Sequence, residues 1–204
     1  MIKNIHWLGH ASFRIDAGDK TIYIDPYRIR AGALKADIIL ATHDHFDHNS
    51  LEDIAKLKKE TTVIVAPADA AKKHAGNVRS VEPGQTLTVE GITVETVPAY
   101  NTGKDFHPRK NKWVGYILTV GGVRIYHAGD TDYIPEMDAL KADIAMLPVG
   151  GTYTMTAEQA ARAVDSFKPK VAVPMHYNSI VGTAADADRF KRLCKTKVEI
   201  LQQE

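Results

Sequence analysis

A single cysteine, Cys194, stands among 204 residues, so no internal disulfide is available to the chain. Charge of one sign is lacking too. The 26 Lys and Arg residues nearly cancel the 25 Asp and Glu, so no global field draws the protein onto nucleic acid or an anionic membrane surface. No apolar run approaches the roughly 20 residues a membrane-spanning helix needs, and the opening Met1-Ile2-Lys3-Asn4 lacks the apolar stretch of a signal peptide. These absences predict a soluble, cytoplasmic protein whose partner is a small molecule, with nucleic acid disfavoured and oligomeric state left open. With 44% hydrophobic residues, there is material for one well-buried core but little for two, which predicts a single domain over 1–204.

What is abundant is concentrated. In Ala41-Thr42-His43-Asp44-His45-Phe46-Asp47-His48-Asn49-Ser50, three imidazoles and two carboxylates fall within six residues, between an apolar run and a helical pattern. Lone pairs crowded this way are best explained by a cation. Residues two apart in an extended segment project to one side, so His43 and His45 are expected to hold one ion, while Asp47 and His48 face a second. Two neighbouring ions would hold a hydroxide between them as nucleophile, at a separation of about 3.5–4 Å.

The His-x-His-x-Asp-His pattern resembles the signature of the metallo-β-lactamase-fold hydrolases. Ile5-His6-Trp7-Leu8-Gly9-His10-Ala11-Ser12-Phe13, Ile24-Asp25-Pro26 and Tyr126-His127-Ala128-Gly129-Asp130-Thr131 resemble the branch that includes the ascorbate-phosphate lactonase. The resemblance implies an α/β fold, a four-layer αββα sandwich of two similar halves. The chain itself predicts such a duplication. Leu34-Lys35-Ala36-Asp37-Ile38 recurs as Leu140-Lys141-Ala142-Asp143-Ile144, 106 residues on, and Ser50 before one helical pattern matches Thr156 before another. Strands are expected at 12–16, 21–24, 37–41 and 63–66, helices at 50–59 and 68–75, and a hairpin turning at Glu90-Gly91.

The remaining site residues are expected on the corresponding loops of the second half. Asp130, after Gly129, corresponds to Asp25 in the repeat, and the resemblance implies that it bridges both ions. Asp25 is expected to orient a ligand histidine. His176, ending Val173-Pro174-Met175, completes the second ion's set in the family. Related proteins often carry a histidine where this chain has Tyr100-Asn101, so His107 is expected to complete the first set with His43 and His45. His10, His127 and Tyr177 are expected near the site in supporting or substrate-facing roles, and His6 and His74 outside it. Asp47 and Asp130 are the expected catalytic carboxylates.

Lys104, Arg109, Lys110 and Lys112 flank His107, with Arg28 and Arg30 after Asp25, and these cations suggest a bound phosphate. The resulting expectation is a dinuclear hydrolase using two divalent ions, zinc first with manganese or iron admitted, on an anionic, phosphate-bearing lactone or ester. A phosphodiesterase or nuclease of the same fold is the alternative, and a non-catalytic metal- or ligand-binding module the alternative of another class. Glyoxalase-type thioesterases and long processing nucleases also resemble the chain but bring extra segments.

Overall fold

A computed structural model describes residues 2–204. The first sheet contains β1 (Ile5–Gly9), β2 (Ser12–Ala17), β3 (Lys20–Ile24), β4 (Ile38–Leu40), β5 (Val63–Pro67) and β6 (Val78–Val81), adjacent in that order. Helix α1 (Leu51–Leu57) joins β4 to β5, and the short α2 (Ala68–Ala71) joins β5 to β6. Ser50 caps α1 by accepting from the Asp53 N–H. Both helices are shorter than the sequence pattern predicts; α2 ends four residues early, short of the Gly76 turn.

The second sheet is formed by β7 (Thr86–Val89), β8 (Ile92–Pro98), β9 (Val114–Val120), β10 (Val123–His127), β11 (Ile144–Pro148), β12 (Val171–Met175) and β13 (Lys197–Val198), again neighbours in sequence order. Helix α3 (Ala157–Phe167) lies between β11 and β12, and α4 (Ala184–Leu193) between β12 and β13. In each half, antiparallel strands lead into parallel pairing: β1-β2-β3 into β4, and β7-β8-β9-β10 into β11.

Alternation along the strands makes the layers. Ile22, Ile24, Ile38, Leu40, Val63 and Val65 join one core with Tyr116, Leu118, Ile125 and Val173 of the other sheet. Their neighbours Tyr23, Ile39 and Ile64 point the other way, packing with Ile54 and Leu57 of α1. A strand with both faces covered reads as a continuous apolar run, which is why β4 and β5 show no alternation of polarity. The architecture is the expected αββα sandwich. Among the described residues, no helix is long and apolar enough to cross a membrane.

The repeated Leu-Lys-Ala-Asp-Ile has a structural reason. Asp37 accepts from the Thr21 N–H through its carboxylate (2.8 Å), donates its own N–H to the Thr21 carbonyl (2.9 Å), and offers its carbonyl to the Val63 N–H (3.0 Å). Asp143 does the same with Arg124 (2.9 and 2.8 Å) and Val171 (3.0 Å). Each aspartate also meets a lysine, Lys59 at 2.7 Å and Lys170 at 2.8 Å. Three hydrogen bonds thus tie three strands at the start of each parallel segment.

The same register corrects one expectation. The Asp25 N–H donates to the Leu40 carbonyl, and in the second half the equivalent donor is the Ala128 N–H, to the Met146 carbonyl. Asp25 therefore matches Ala128, and Asp130 lies two residues farther along its loop. Strands β1, β6, β9 and β13 were outside the sequence expectation. β6 and β13 are short edge strands with exposed polar residues, whose weak alternation carries little signal.

Candidate metal centre

All the candidate donors leave the C-terminal ends of strands. His43, His45, Asp47 and His48 follow β4, Asp130 follows β10, His176 follows β12, and His107 lies in the loop after β8. The parallel register aligns these ends along one rim, where open α/β sheets bind ligands. Two glycines let the loops converge. Gly129 (φ 64°) lies so close to Thr42 and the Val114 carbonyl that a Cβ would come within 3.0–3.1 Å, and a Cβ on Gly150 would overlap the His176 carbonyl at 2.4 Å.

Three donor groups form in which the ligating atoms lie within 4.8 Å of one another: His43, His45 and His107; His10, Asp47, His48 and His176; and His43, His48 and Asp130. The Asp130 carboxylate stands between the first two. Its Oδ2 lies 3.2 Å from His107 Nε2 and 3.0 Å from His176 Nε2, and its Oδ1 lies 3.4 Å from His48 Nε2. His43 Nε2 and His45 Nδ1 converge at 3.0 Å.

Outer hydrogen bonds aim the rings. His48 Nδ1 donates to Asp25 Oδ2 (2.7 Å), and Asp25 is itself held by the Thr42 N–H and Oγ1 (both 2.7 Å). Since the Thr42 hydroxyl donates to Asp25, it accepts from His43 Nδ1 at 2.9 Å. One carboxylate therefore fixes two histidines, one of them through a hydroxyl. His107 is set by Asn101, whose Oδ1 accepts both the His107 backbone N–H (2.9 Å) and Nδ1 (3.0 Å), while its Nδ2 donates to the Tyr153 carbonyl (3.0 Å). In all three rings Nδ1 is the atom held by the surrounding scaffold and Nε2 the atom turned toward the site, an arrangement typical of metal-ligating histidines. His10 Nε2 meets Asp47 Oδ2 at 2.9 Å, so His10 braces the carboxylate from behind.

Backbone geometry shows the same pinning. His10, Asp25 and His176 have φ of 52°, 48° and 58°, a left-handed conformation that costs a non-glycine residue on the order of 1 kcal/mol or more. The His10 carbonyl accepts both the His176 N–H and Trp7 Nε1 (each 2.9 Å), joining the two halves under the site.

Electrostatics favours a cation. Burial drives His43 well below the usual imidazole range, and burial likewise lowers His45 and His10. Burial pushes the carboxylates upward, but His176 and His48 hold Asp130 well below its ordinary value, and the His10 hydrogen bond with the His48 charge holds Asp47 at about 2. For His48, burial opposes protonation, and the charges of Asp130 and Asp25 outweigh it and raise its pKa. Three buried carboxylates, Asp25, Asp47 and Asp130, thus gather positive charge among rings that burial mostly keeps neutral. His48 Nε2, His107 Nε2, His176 Nε2 and Asp130 Oδ1 are buried without a hydrogen-bond partner. Buried polar atoms left without a partner are costly unless something satisfies them, and imidazole and carboxylate together suit a divalent transition metal.

The donors floor a pocket of about 220 Å³, lined by His45, Asp47, His107, Asp130 and His176 and walled by Phe46, Phe106, Tyr153 and Ile180. Other sequence expectations land elsewhere. His127 lies beneath the site, donating through Nε2 to the Ala11 carbonyl (2.9 Å) and accepting the Gly129 N–H (3.1 Å); it supports the Gly129 turn and does not reach the pocket. Tyr177 stacks on Trp7 at 4.9 Å, away from the donors. Arg109 pairs with Glu136 at 3.0 Å and lies over the Tyr100 ring, and Lys110 is exposed outside the pocket. Lys104 is committed to Asp132 and the Thr154 carbonyl, and Lys112 to Glu82. Arg28 stands at the opposite rim over the Tyr27 ring, its Nη1 3.3 Å from Ser179 Oγ. His6 bonds Asp16 and Glu204, and His74 bonds Asn49, both outside the cluster.

Asn101, Thr42 and Trp113 were missed. The Trp113 ring packs 4.9 Å from both His43 and His45 and 5.6 Å from His107, anchored by Nε1 donating to Asp69. Nothing in the sequence separates Asn101 from other loop carboxamides; its hydrogen bonds to His107 do.

The β-lactamase superfamily domain matches residues 4–176. A UPF0173 metal-dependent hydrolase of Thermoplasma acidophilum is 37% identical, over 94% of this chain and 91% of its own. Among solved structures, a Parabacteroides distasonis protein superposes with a TM-score of 0.88 at 37% identity, covering 98% of this chain and 93% of its own. Igni18, a metallo hydrolase from Ignicoccus hospitalis, does so at 0.79 and 27%, covering 97% and 94%. Histidine and aspartate donors at the strand ends of a duplicated sandwich, together with these matches over nearly the whole chain, make the protein a member of the β-lactamase superfamily of metal-dependent hydrolases.

Proposed function

We propose that the protein is a dinuclear hydrolase of a small molecule, in which His43, His45 and His107 hold one divalent ion, Asp47, His48 and His176 a second, and Asp130 lies between them. The observation that carries this reading is the convergence of the unpartnered Nε2 atoms of His48, His107 and His176 on one buried carboxylate. Zinc suits the donors best, and manganese or iron would be accepted by the same set. When bound, the ions supply Lewis acidity toward a carbonyl or phosphoryl oxygen and bring a water within reach of deprotonation near neutral pH.

The chain's residues do the remainder. Asp25 and Asn101 keep protons on the Nδ1 atoms of His48 and His107 and so fix the donor atoms. Asp47 is ionised near neutral pH and lines the pocket, so it can take a proton from the attacking water, with His10 holding Oδ2 in place. Seven donors shared by two ions leave coordination positions for water and substrate, whereas structural sites are closed by four donors per ion.

Elemental analysis of protein purified under metal-replete conditions tests this. Close to two transition-metal ions per chain are expected in wild type, and fewer in Asp130→Ala. Less than one ion in wild type overturns the dinuclear reading.

A further inference from the structure

We infer that the substrate places an uncharged apolar group, about the size of a phenyl ring, against a wall of Phe46, Phe106, Tyr153 and Ile180 beside the bond that is cleaved. This rests on the hydrolase reading above and specifies its substrate class. Among the described residues six large hydrophobic side chains are exposed, and three of them, Phe46 (68%), Phe106 (48%) and Ile180 (39%), line this one pocket. Scattered exposed hydrophobics need no explanation, but apolar side chains gathered from separate loops around polar donors mark a ligand site.

The wall is built into the donor segments. Phe46 lies between His45 and Asp47, Phe106 immediately precedes His107, and Ile180 follows His176 by four residues. Two of its members are braced by other rings: Phe106 packs edge-on to Tyr153 at 4.7 Å, and Phe46 to Tyr27 at 5.9 Å. Fixing the donors therefore also fixes the wall. The 220 Å³ beside the donors is below the roughly 300–1,000 Å³ of sites for drug-sized ligands and has room for about one ring.

A phosphate-bearing group has nothing to meet on this wall. No lysine or arginine lines the pocket, and Lys104, Arg109 and Lys112 are paired with Asp132, Glu136 and Glu82. On the wall itself an anion would meet aromatic faces with no side-chain cation, and its compensation would have to come from the ions the donors would hold at the pocket floor.

The test uses metal-reconstituted protein and three methyl esters that share a leaving group and differ at the α-carbon: methyl acetate, methyl phenylacetate and methyl phosphonoacetate. Methyl phenylacetate should have the highest kcat/KM, by about tenfold or more over methyl acetate, the scale on which apolar pockets discriminate. That ratio should fall to within about threefold in Phe106→Ala and in Ile180→Ala, and should persist in Arg109→Ala. Equal rates on the acetate and phenylacetate esters, a preference for the phosphonoacetate, or a phenyl preference that survives both wall substitutions would overturn the inference. If no ester is turned over, the hydrolase reading is in question and the wall is decided by binding. Ligand-observed NMR with phenylacetamide against acetamide should then show transfer to the phenyl ring in wild type and its loss in Phe106→Ala; no difference between the two amides overturns the inference independently.

Discussion

Asn101→Ala separates the stability of the site loop from its affinity for metal. The side-chain oxygen of Asn101 accepts two hydrogen bonds from one residue, the His107 N–H at 2.9 Å and Nδ1 at 3.0 Å. His107 is 1% exposed, so truncation leaves two buried donors unpaired, at about 1–3 kcal/mol each. Water entering the space of the lost carboxamide recovers part of this, giving an expected loss of about 2–3 kcal/mol. In a chain of this size that lowers Tm by roughly 4–12 °C. Freed of its acceptor, the ring also loses its fixed tautomer and direction. Removing such an outer partner typically weakens a metal site by about 10- to 100-fold, or roughly 1.4–2.7 kcal/mol.

The assay is a competitive chelator titration of both ions alongside thermal unfolding of the metal-stripped protein. Asn101→Asp is the comparison, since it keeps the accepting oxygen toward His107 while replacing the donor to the Tyr153 carbonyl with a second oxygen and adding a charge. One ion should weaken in Asn101→Ala and hold in Asn101→Asp. If Asn101→Ala lowers Tm as expected while both affinities stay within twofold, Asn101 stabilises the loop without aiming a ligand, and the assignment of His107 fails with it.

Other substitutions distinguish the two ions. Asp25→Ala should weaken both, because Asp25 holds His48 directly and His43 through Thr42; a chelator titration in which only one ion weakens would break that relay. His107→Ala should reduce turnover about as severely as His43→Ala, and retention of both ions with full rate in His107→Ala would place the third ligand elsewhere. The paired strand aspartates predict a pH effect outside the site. Burial opposes the shift at Asp37, but Lys59 and the Thr21 N–H lower its pKa, and the Arg124 N–H with Lys170 lowers that of Asp143. Depressed carboxylate pKa values stabilise the fold above the unfolded-state value near ~4 and stop doing so as pH falls through the folded-state values. The Tm gap between wild type and an Asp37→Asn, Asp143→Asn double variant should therefore narrow below about pH 4, and a constant gap would refute the charge contribution.

The fold and the cluster of candidate donors were legible because both depend on local pattern. Continuous apolar runs mark β4, β5, β11 and β12 as strands buried on both faces, and the donors follow from density and spacing of residue type in 43–48. What was not legible depends on partners distant in sequence. Whether Arg109 reaches a pocket or pairs with Glu136, 27 residues away, is decided by how two loops cross, and a basic run looks the same in either case. Asn101 and Thr42 are ordinary loop residues until the direction of their hydrogen bonds is known. Phe46 and Phe106 are visible in the sequence, but only their exposure distinguishes a pocket wall from a core.

The two halves bring similar strand scaffolds and unequal chemistry to the rim. Asp37 and Asp143 make matching hydrogen bonds, so the strand ends superpose in register, and Asp25 and Ala128 then occupy equivalent positions one residue past β3 and β10. In the first half that position carries a carboxylate, which turns inward to the His48 and Thr42 side chains. In the second half it carries alanine, and the carboxylate is displaced two residues beyond a glycine that permits contact with Thr42. The displacement moves Asp130 out of the packed layer and among the Nε2 atoms of His48, His107 and His176. A carboxylate at residue 128 would lie at the depth of Asp25 and act as a support, so it is the two-residue extension of the loop that turns a structural aspartate position into a candidate bridging one.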